Sequence, residues 1–287
     1  MNAGVVAIVV TYSSDLAHLV GSLRVLARQC TIVVVDNFTQ GAPRDRIRVV
    51  CDQTGAVWLP VGDNLGVAHA LNHNIVRARE RAASDILLMD DDSMPSQSLV
   101  ADLLEAGKLS PKQPVVASAC SIGADGKDLS NRTAEAAITL TPCSKLTSSE
   151  TLISVTVFDW VGAFDDQLFI DCVDFEWCWR ALASGVPLVL CNQDTIQHRL
   201  GRGARFGLRI PSPIRRYYQY RNVSRMINCS KAPMRWRLSQ LIKLPVKLVL
   251  IALLADRRFE RLRYAAKGWS DIFLGAPVNS IADCCSH

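Results

Sequence analysis

Short apolar runs alternate with longer amphipathic stretches through the first hundred residues. Residues 5–10 form an unbroken run rich in β-branched side chains, and residues 31–35 form a second. Such runs suit strands buried on both faces of a parallel sheet. Between them, Leu16, Leu19, Val20, Leu23 and Leu26 recur at helical spacing, predicting a helix over 16–27. Residues 47–50 and 57–59 read as further short strands, and 65–81 as a helix capped by Asp63 or Asn64. Residues 86–89 read as another core strand and 96–107 as the next helix. Further on, 115–119, 154–158 and 186–190 read as strands, and 175–183 as a helix ending at Gly185. Residues 121–150 are polar and carry few signals. The alternation predicts an α/β fold: a Rossmann-like, mostly parallel sheet with helices on both faces.

In open sheets of this kind, ligands sit beyond the carboxyl ends of the strands. Two acidic features stand there, Asp36 after the second strand and Asp90-Asp91-Asp92 after the strand at 86–89. Three adjacent carboxylates repel one another and are tolerated beside a cation or in water. A hard divalent ion fits, because Mg²⁺ or Mn²⁺ commonly joins one or two carboxylates to substrate phosphates.

Charge divides the chain. Residues 1–198 carry 14 Lys/Arg against 23 Asp/Glu, whereas 199–267 carry 18 against 2. Within the basic part, residues 241–255 are apolar apart from Lys243 and Lys247, with Pro245 between them. Fifteen residues fall short of the roughly twenty that span a bilayer. Basic flanks around an apolar stripe suit a helix lying on an anionic membrane surface; packing on a second copy of the chain is the other reading. No nucleic-acid partner is expected. The ten cysteines follow no metal-ligand spacing, and residues 5–10 are too short for a secretory signal. A reducing cytoplasm is therefore expected, with the protein peripheral on the inner face of the cell membrane.

Several blocks, taken in order, resemble the family 2 glycosyltransferases of GT-A fold, and within them the bacterial rhamnosyltransferases. They are Val9-Val10-Thr11-Tyr12, Val34-Val35-Asp36-Asn37, Asn64-Leu65-Gly66-Val67-Ala68 and Asp90-Asp91-Asp92-Ser93. Val161-Gly162-Ala163-Phe164-Asp165, Leu168 to Trp177, His198-Arg199-Leu200-Gly201 and Arg216 to Asn222 complete the series. The resemblance implies a GT-A nucleotide-sugar-binding catalytic domain over 1–210, and leaves 211–287 as a helical basic extension. It implies inverting transfer of a hexosyl group, with L-rhamnose from dTDP-L-rhamnose as the expected case, to a hydroxyl of a growing glycan.

The resemblance also assigns roles. Thr11, Tyr12, Asp36, Asn37, Asn64, Gly66, Asp90 and Asp91 would line the nucleotide of a dTDP- or UDP-linked donor. Asp90, Asp92 and His198 would hold Mg²⁺ or Mn²⁺, with the direct ligand among the three aspartates left open. Asp174 matches the base position, with Asp171 and Glu176 as rivals; Asp171 shares a helical face with Asp174 if that turn is wound. Arg180 and Arg202 are candidates for phosphate. The acceptor would ride on polyprenyl diphosphate. One departure is Ser149-Glu150, where Ser-Gly is common near the donor sugar. A sugar nucleotidyltransferase needs a glycine-rich basic loop after the first strand, and residues 11–15 contain neither glycine nor lysine. A non-catalytic membrane scaffold on a decayed transferase fold is the remaining alternative, with Glu150 as its support.

Overall fold

The computed structural model describes residues 2–12, 14–37, 41–121, 138–198, 204–205, 208–209 and 212–274. The chain opens as β1 (Asn2–Thr11), α1 (Leu16–Leu26), β2 (Cys30–Asp36), α2 (Ala42–Thr54), β3 (Val57–Pro60), α3 (Val67–Glu80) and β4 (Asp85–Asp90). These strands pair in parallel in the order β3-β2-β1-β4. There follow β5 (Ser93–Met94), α4 (Leu99–Leu109), β6 (Val116–Ser121), β7 (Leu140–Pro142), β8 (Thr151–Ser154), α5 (Val155–Val161), α6 (Val173–Ala183) and β9 (Leu188–His198). The sheet continues β4-β8-β6-β9-β5, with β8 antiparallel to both its neighbours, β6 and β9 parallel, and β7 beside β9. A two-stranded ribbon, β10 (Ala204–Arg205) and β11 (Leu208–Arg209), leads to α7 (Pro213–Ile227), α8 (Met234–Leu254) and α9 (Arg258–Leu274).

Pleating divides the core. Ala7, Val9, Val34 and Leu87 face α1, α2 and α4, whereas Ile8, Val33, Val35 and Leu88 face α3, α5 and α6. Strands buried on both faces explain the unbroken apolar runs, each buried aliphatic side chain contributing about 1.5–3 kcal/mol.

Two expected strands are helices. Residues 47–50 lie inside α2, where Ile47, Val50 and Cys51 are buried at i, i+3 and i+4 and Gly55 ends the helix with φ +72°. Residues 154–158 cross from β8 into α5, which buries Val157, Phe158 and Val161. In both places burial on one helical face overrides a β-branched composition. The expected cap of α3 also moves. Gly66 occupies the cap, Asn64 Oδ1 accepts from the Gly66 N–H, and the Val67 N–H donates to Phe169 O at 2.7 Å. The start of α3 is thus docked on the loop before α6.

No helix among the described residues is long and apolar enough to cross a membrane. α8 buries Gln240, Leu244 and Ile251 and leaves a broad apolar stripe exposed.

Gly66 has φ +89°, and a Cβ there would stand 2.7 Å from both Phe169 O and Phe169 Cδ2. Gly66→Ala should therefore lower stability by about 2 kcal/mol or more, read as a fall in the urea midpoint. Gly107→Ala in α4, where a Cβ meets nothing within 4 Å, should stabilise by about 0.5–1 kcal/mol.

Candidate active site

The three central strands end side by side. Thr11 pairs with Asp36 and Val10 with Asp90, so adjacent parallel strands, about 4.8 Å apart, carry both acidic features to one edge. Thr11 and Asp36 are buried, the Thr11 hydroxyl donating to Val35 O at 3.3 Å; Tyr12 stands at the rim, 53% exposed. By the pleat, Asp36 leaves the sheet on the side of α1 and α2, and Asp90 on the side of α6. Asn37 Nδ2 donates to Asn64 Oδ1 at 3.1 Å, and Asn37 Oδ1 accepts from the Leu65 N–H at 3.3 Å. Asn37, Asn64 and Gly66 thereby shape the turn into α3, and their polar side chains are engaged within it.

The aspartate triplet separates by environment. Asp91 accepts from the Ser14 hydroxyl and from the Tyr12 N–H, tying β4 to the loop after β1. Burial raises its carboxyl, and these two donors oppose the rise. Asp90 is half-buried, and Asp92 is exposed. Burial pushes the Asp90 carboxyl up to about 7, and the charges of Asp174, Asp92 and Asp91 push the same way against Arg215. Asp174 is the foremost of those charges, so the end of β4 faces the first turn of α6. Burial also raises Asp174, opposed by the Ser148 N–H that donates to its Oδ2 at 3.3 Å; Asp171 adds to the rise and Arg215 offsets it.

One face of α7 holds this arrangement. Arg215 meets Asp171 at 2.8 Å, and Tyr218 stacks on Phe169 with centroids 4.6 Å apart. Arg221 donates to Gln167 O at 2.7 Å. Buried Asn222 donates to the carbonyls of Leu168, Ile170 and Asp171 at 2.6, 2.6 and 3.0 Å. Arg225 meets Asp165 at 2.9 Å. Spacings of three, three to four, and three place all five on one side of the helix. The loop they grip carries positive φ at Phe169, Asp171 and Cys172 (59°, 62° and 67°), strain of about 1–3 kcal/mol each that surrounding contacts must sustain.

α6 starts at Val173, after left-handed Cys172, so Asp171 lies off the helix and shares no helical face with Asp174. Asp171 is engaged by Arg215. Glu176 is held through both carboxylate oxygens by Arg180, at 2.7 and 2.8 Å. Arg180 also donates to Val161 O and Ala163 O, which engages it away from phosphate. The side chain of His198 and all of Arg202 lie outside the described residues; the His198 backbone pairs with Ser93 at the end of β9. Glu150 takes φ +60° in the position where the resembled family commonly has glycine, and it is buried. Among the described residues Arg215 is the cation facing Asp90, Asp171 and Asp174 together; the sequence reading does not single it out, and the 215/218/222/225 spacing is the signal that marks it.

Among the described residues no three His, Cys, Asp or Glu side chains assemble a ready metal cage. The site nonetheless fits a hard divalent ion. Asp90 and Asp92 carry carboxylate oxygens of the kind such an ion takes, the charge of Asp92 raises Asp90, and Mg²⁺ or Mn²⁺ needs only one or two carboxylates when phosphates complete the shell.

No family model matches the chain. Over 279 residues it is 28% identical to the dTDP-rhamnosyl transferase RfbF of Shigella flexneri, covering 92% of this chain and 93% of that protein. The mannosyltransferase PcManGT of Pyrobaculum calidifontis, solved with GDP-Man and Mn²⁺, superposes with TM-score 0.59 at 15% identity, covering 100% of this chain and 79% of that one. S. aureus TarS 1-349 gives 0.57 at 13% identity, covering 93% and 80%. The fold is that of the GT-A glycosyltransferases. Along nearly its whole length the chain is similar in sequence to a bacterial rhamnosyltransferase.

A proton on Asp90 competes with a metal ion. Mn²⁺ affinity measured with dTDP present should fall as pH drops through about 7, approaching tenfold per unit below it. In Asp90→Asn that dependence should flatten; titration calorimetry at pH 6, 7 and 8 reads both.

Proposed function

We propose that the chain transfers L-rhamnose from dTDP-L-rhamnose to a hydroxyl of a growing glycan, inverting the anomeric centre in one displacement. The observation that carries this reading is that the charge of Asp174, at the start of α6, acts on Asp90 at the end of β4. The dTDP-rhamnosyl transferase similar to this chain over nearly its whole length supports the donor.

Thr11, Tyr12 and Asp36 form the nucleoside end, where a carboxylate suits the imide N–H of thymine. Asp90 and Asp92 would hold Mg²⁺ or Mn²⁺, which would supply positive charge against the departing diphosphate. The Mn²⁺ in the structure of the similar mannosyltransferase supports a divalent ion in this role. Asp174 takes the proton of the acceptor hydroxyl as its oxygen bonds to the anomeric carbon. The bond from that carbon to the donor's phosphate oxygen breaks, and its electron pair leaves with dTDP. A carboxyl raised by burial is a better base for this step than an ordinary one. Arg215 keeps Asp171 and the preceding loop in register with Asp174. The acceptor rides on a polyprenyl diphosphate at the cytoplasmic face of the membrane, with the basic extension toward that surface.

Asp174→Asn should retain Mn²⁺-dependent dTDP binding while kcat falls about 10²–10⁴-fold. Asp92→Ala should instead lose the Mn²⁺-dependent part of dTDP binding. Undiminished turnover by Asp174→Asn would remove the base assignment, and a product that retains the donor's anomeric configuration would remove the single displacement.

A further inference from the structure

The seam between α7 and α8 is rich in positive charge and poor in counter-charge. Arg216 is 9% exposed, and its Nη1 donates to the neutral Gln219 Oε1 at 2.7 Å. Its Nε is buried with no hydrogen-bond partner among the described residues. Half-buried Lys247 and exposed Lys243 lie one turn apart on α8, close to Arg216. Among the described residues none of the three forms an ion pair, and the nearby Asp171 is committed to Arg215. Burial, together with the like charges around them, lowers both Arg216 and Lys247. A buried cation without a carboxylate is costly and is tolerated where a ligand completes it.

Beside the lysine pair runs an apolar stripe. Ile242, Val246, Val249 and Leu253 repeat at helical spacing, each more than half exposed, about 100° round α8 from Lys243 and Lys247. Contiguous exposed apolar surface of this kind marks a binding face. Cys172, two residues before Asp174, packs against the cluster containing Leu244 and Leu248, on the buried face of α8 beside Lys247 and away from the stripe. A ligand here would combine phosphate with hydrocarbon and lie next to the candidate base.

We propose that the α7–α8 seam holds the phosphates of a lipid-linked acceptor against Arg216 and Lys247, with Lys243 at its mouth and the hydrocarbon along the α8 stripe. The inference rests on the transferase reading and assigns a place to its acceptor. Lipid phosphate anchored there would bring the first sugar hydroxyls toward Asp174 while the donor occupies the strand edge.

The test uses the full chain and three vesicle types: neutral phosphatidylcholine, the same doped with a polyprenyl diphosphate, and the same doped with phosphatidylglycerol to matched charge. Co-sedimentation should be at least tenfold tighter on the polyprenyl diphosphate vesicles than on either other type. Lys247→Gln should remove most of that preference, as should Arg216→Gln; Lys247 is half-exposed, so its variant stays readable if the buried one misfolds. Lys108→Gln, on the far side of the sheet, should change nothing. Inorganic pyrophosphate should compete only weakly, because it lacks the hydrocarbon. Equal binding to matched phosphatidylglycerol vesicles, or a preference untouched by Lys247→Gln, would overturn the proposal. Free pyrophosphate binding as tightly as the lipid would overturn its apolar half. Mn²⁺-dependent dTDP binding is followed in the same samples. Its absence from the unaltered chain strikes the transferase reading, whereas loss of the lipid preference with dTDP binding intact strikes this one.

Discussion

The structure is organised around carboxylates that must stay close while repelling one another. Asp90 ends a core strand, Asp174 opens a helix some eighty residues later, and burial raises both. Among the described residues Arg215 is the cation that opposes both shifts. Left to itself such a cleft would spread or take up protons. Its persistence requires a rigid edge on one side and a braced loop on the other, and both are present. On one side, β1, β2 and β4 end in register. On the other, the loop before α6 is fixed from two directions: α3 docks its first free N–H on Phe169, and α7 binds side chains and carbonyls from Asp165 to Asp171.

That bracing explains why the loop tolerates three non-glycine residues with positive φ in four positions. Asn222 is central to it. One buried amide donates to three carbonyls that the unusual backbone turns inward; without it Leu168 O keeps the Ile170 N–H, while those of Ile170 and Asp171 lose this donor at about 1–3 kcal/mol each. Strain held by such redundancy suits a surface that must present Asp174 in one orientation through repeated cycles of binding and release.

Much of this was legible in the chain because its signals are local. Continuous apolar runs marked β1, β2 and β4, and the aspartates closing β2 and β4 marked the edge where the acidic side chains stand together. What escaped were features with local ambiguity or distant partners. Ile47 to Val50 and Val155 to Phe158 are β-branched runs whose helical burial depends on what they pack against. Asn37, Asn64 and Gly66 form a recognisable pattern, yet only the coordinates show Phe169 pressed against Gly66 and the asparagines spent on each other. The pairing of Asp171 with Arg215 spans forty-four positions, beyond any periodicity argument. Glu150 occupies a left-handed backbone position and lies buried, a setting that no local pattern around it announces.

α9 lies along α7 so closely that Gly268 meets the backbone of Tyr217 and Arg221, and the Tyr217 hydroxyl donates to buried Asp271 at 2.8 Å. The last helix therefore supports the helix that supports the acid loop. In evolutionary terms the C-terminal segment is not a cassette. Grafting it from another enzyme would disturb the cleft even with every acid retained, so diversification of partners in such chains should proceed by single substitutions along the outer helix surface rather than by recombination of whole tails.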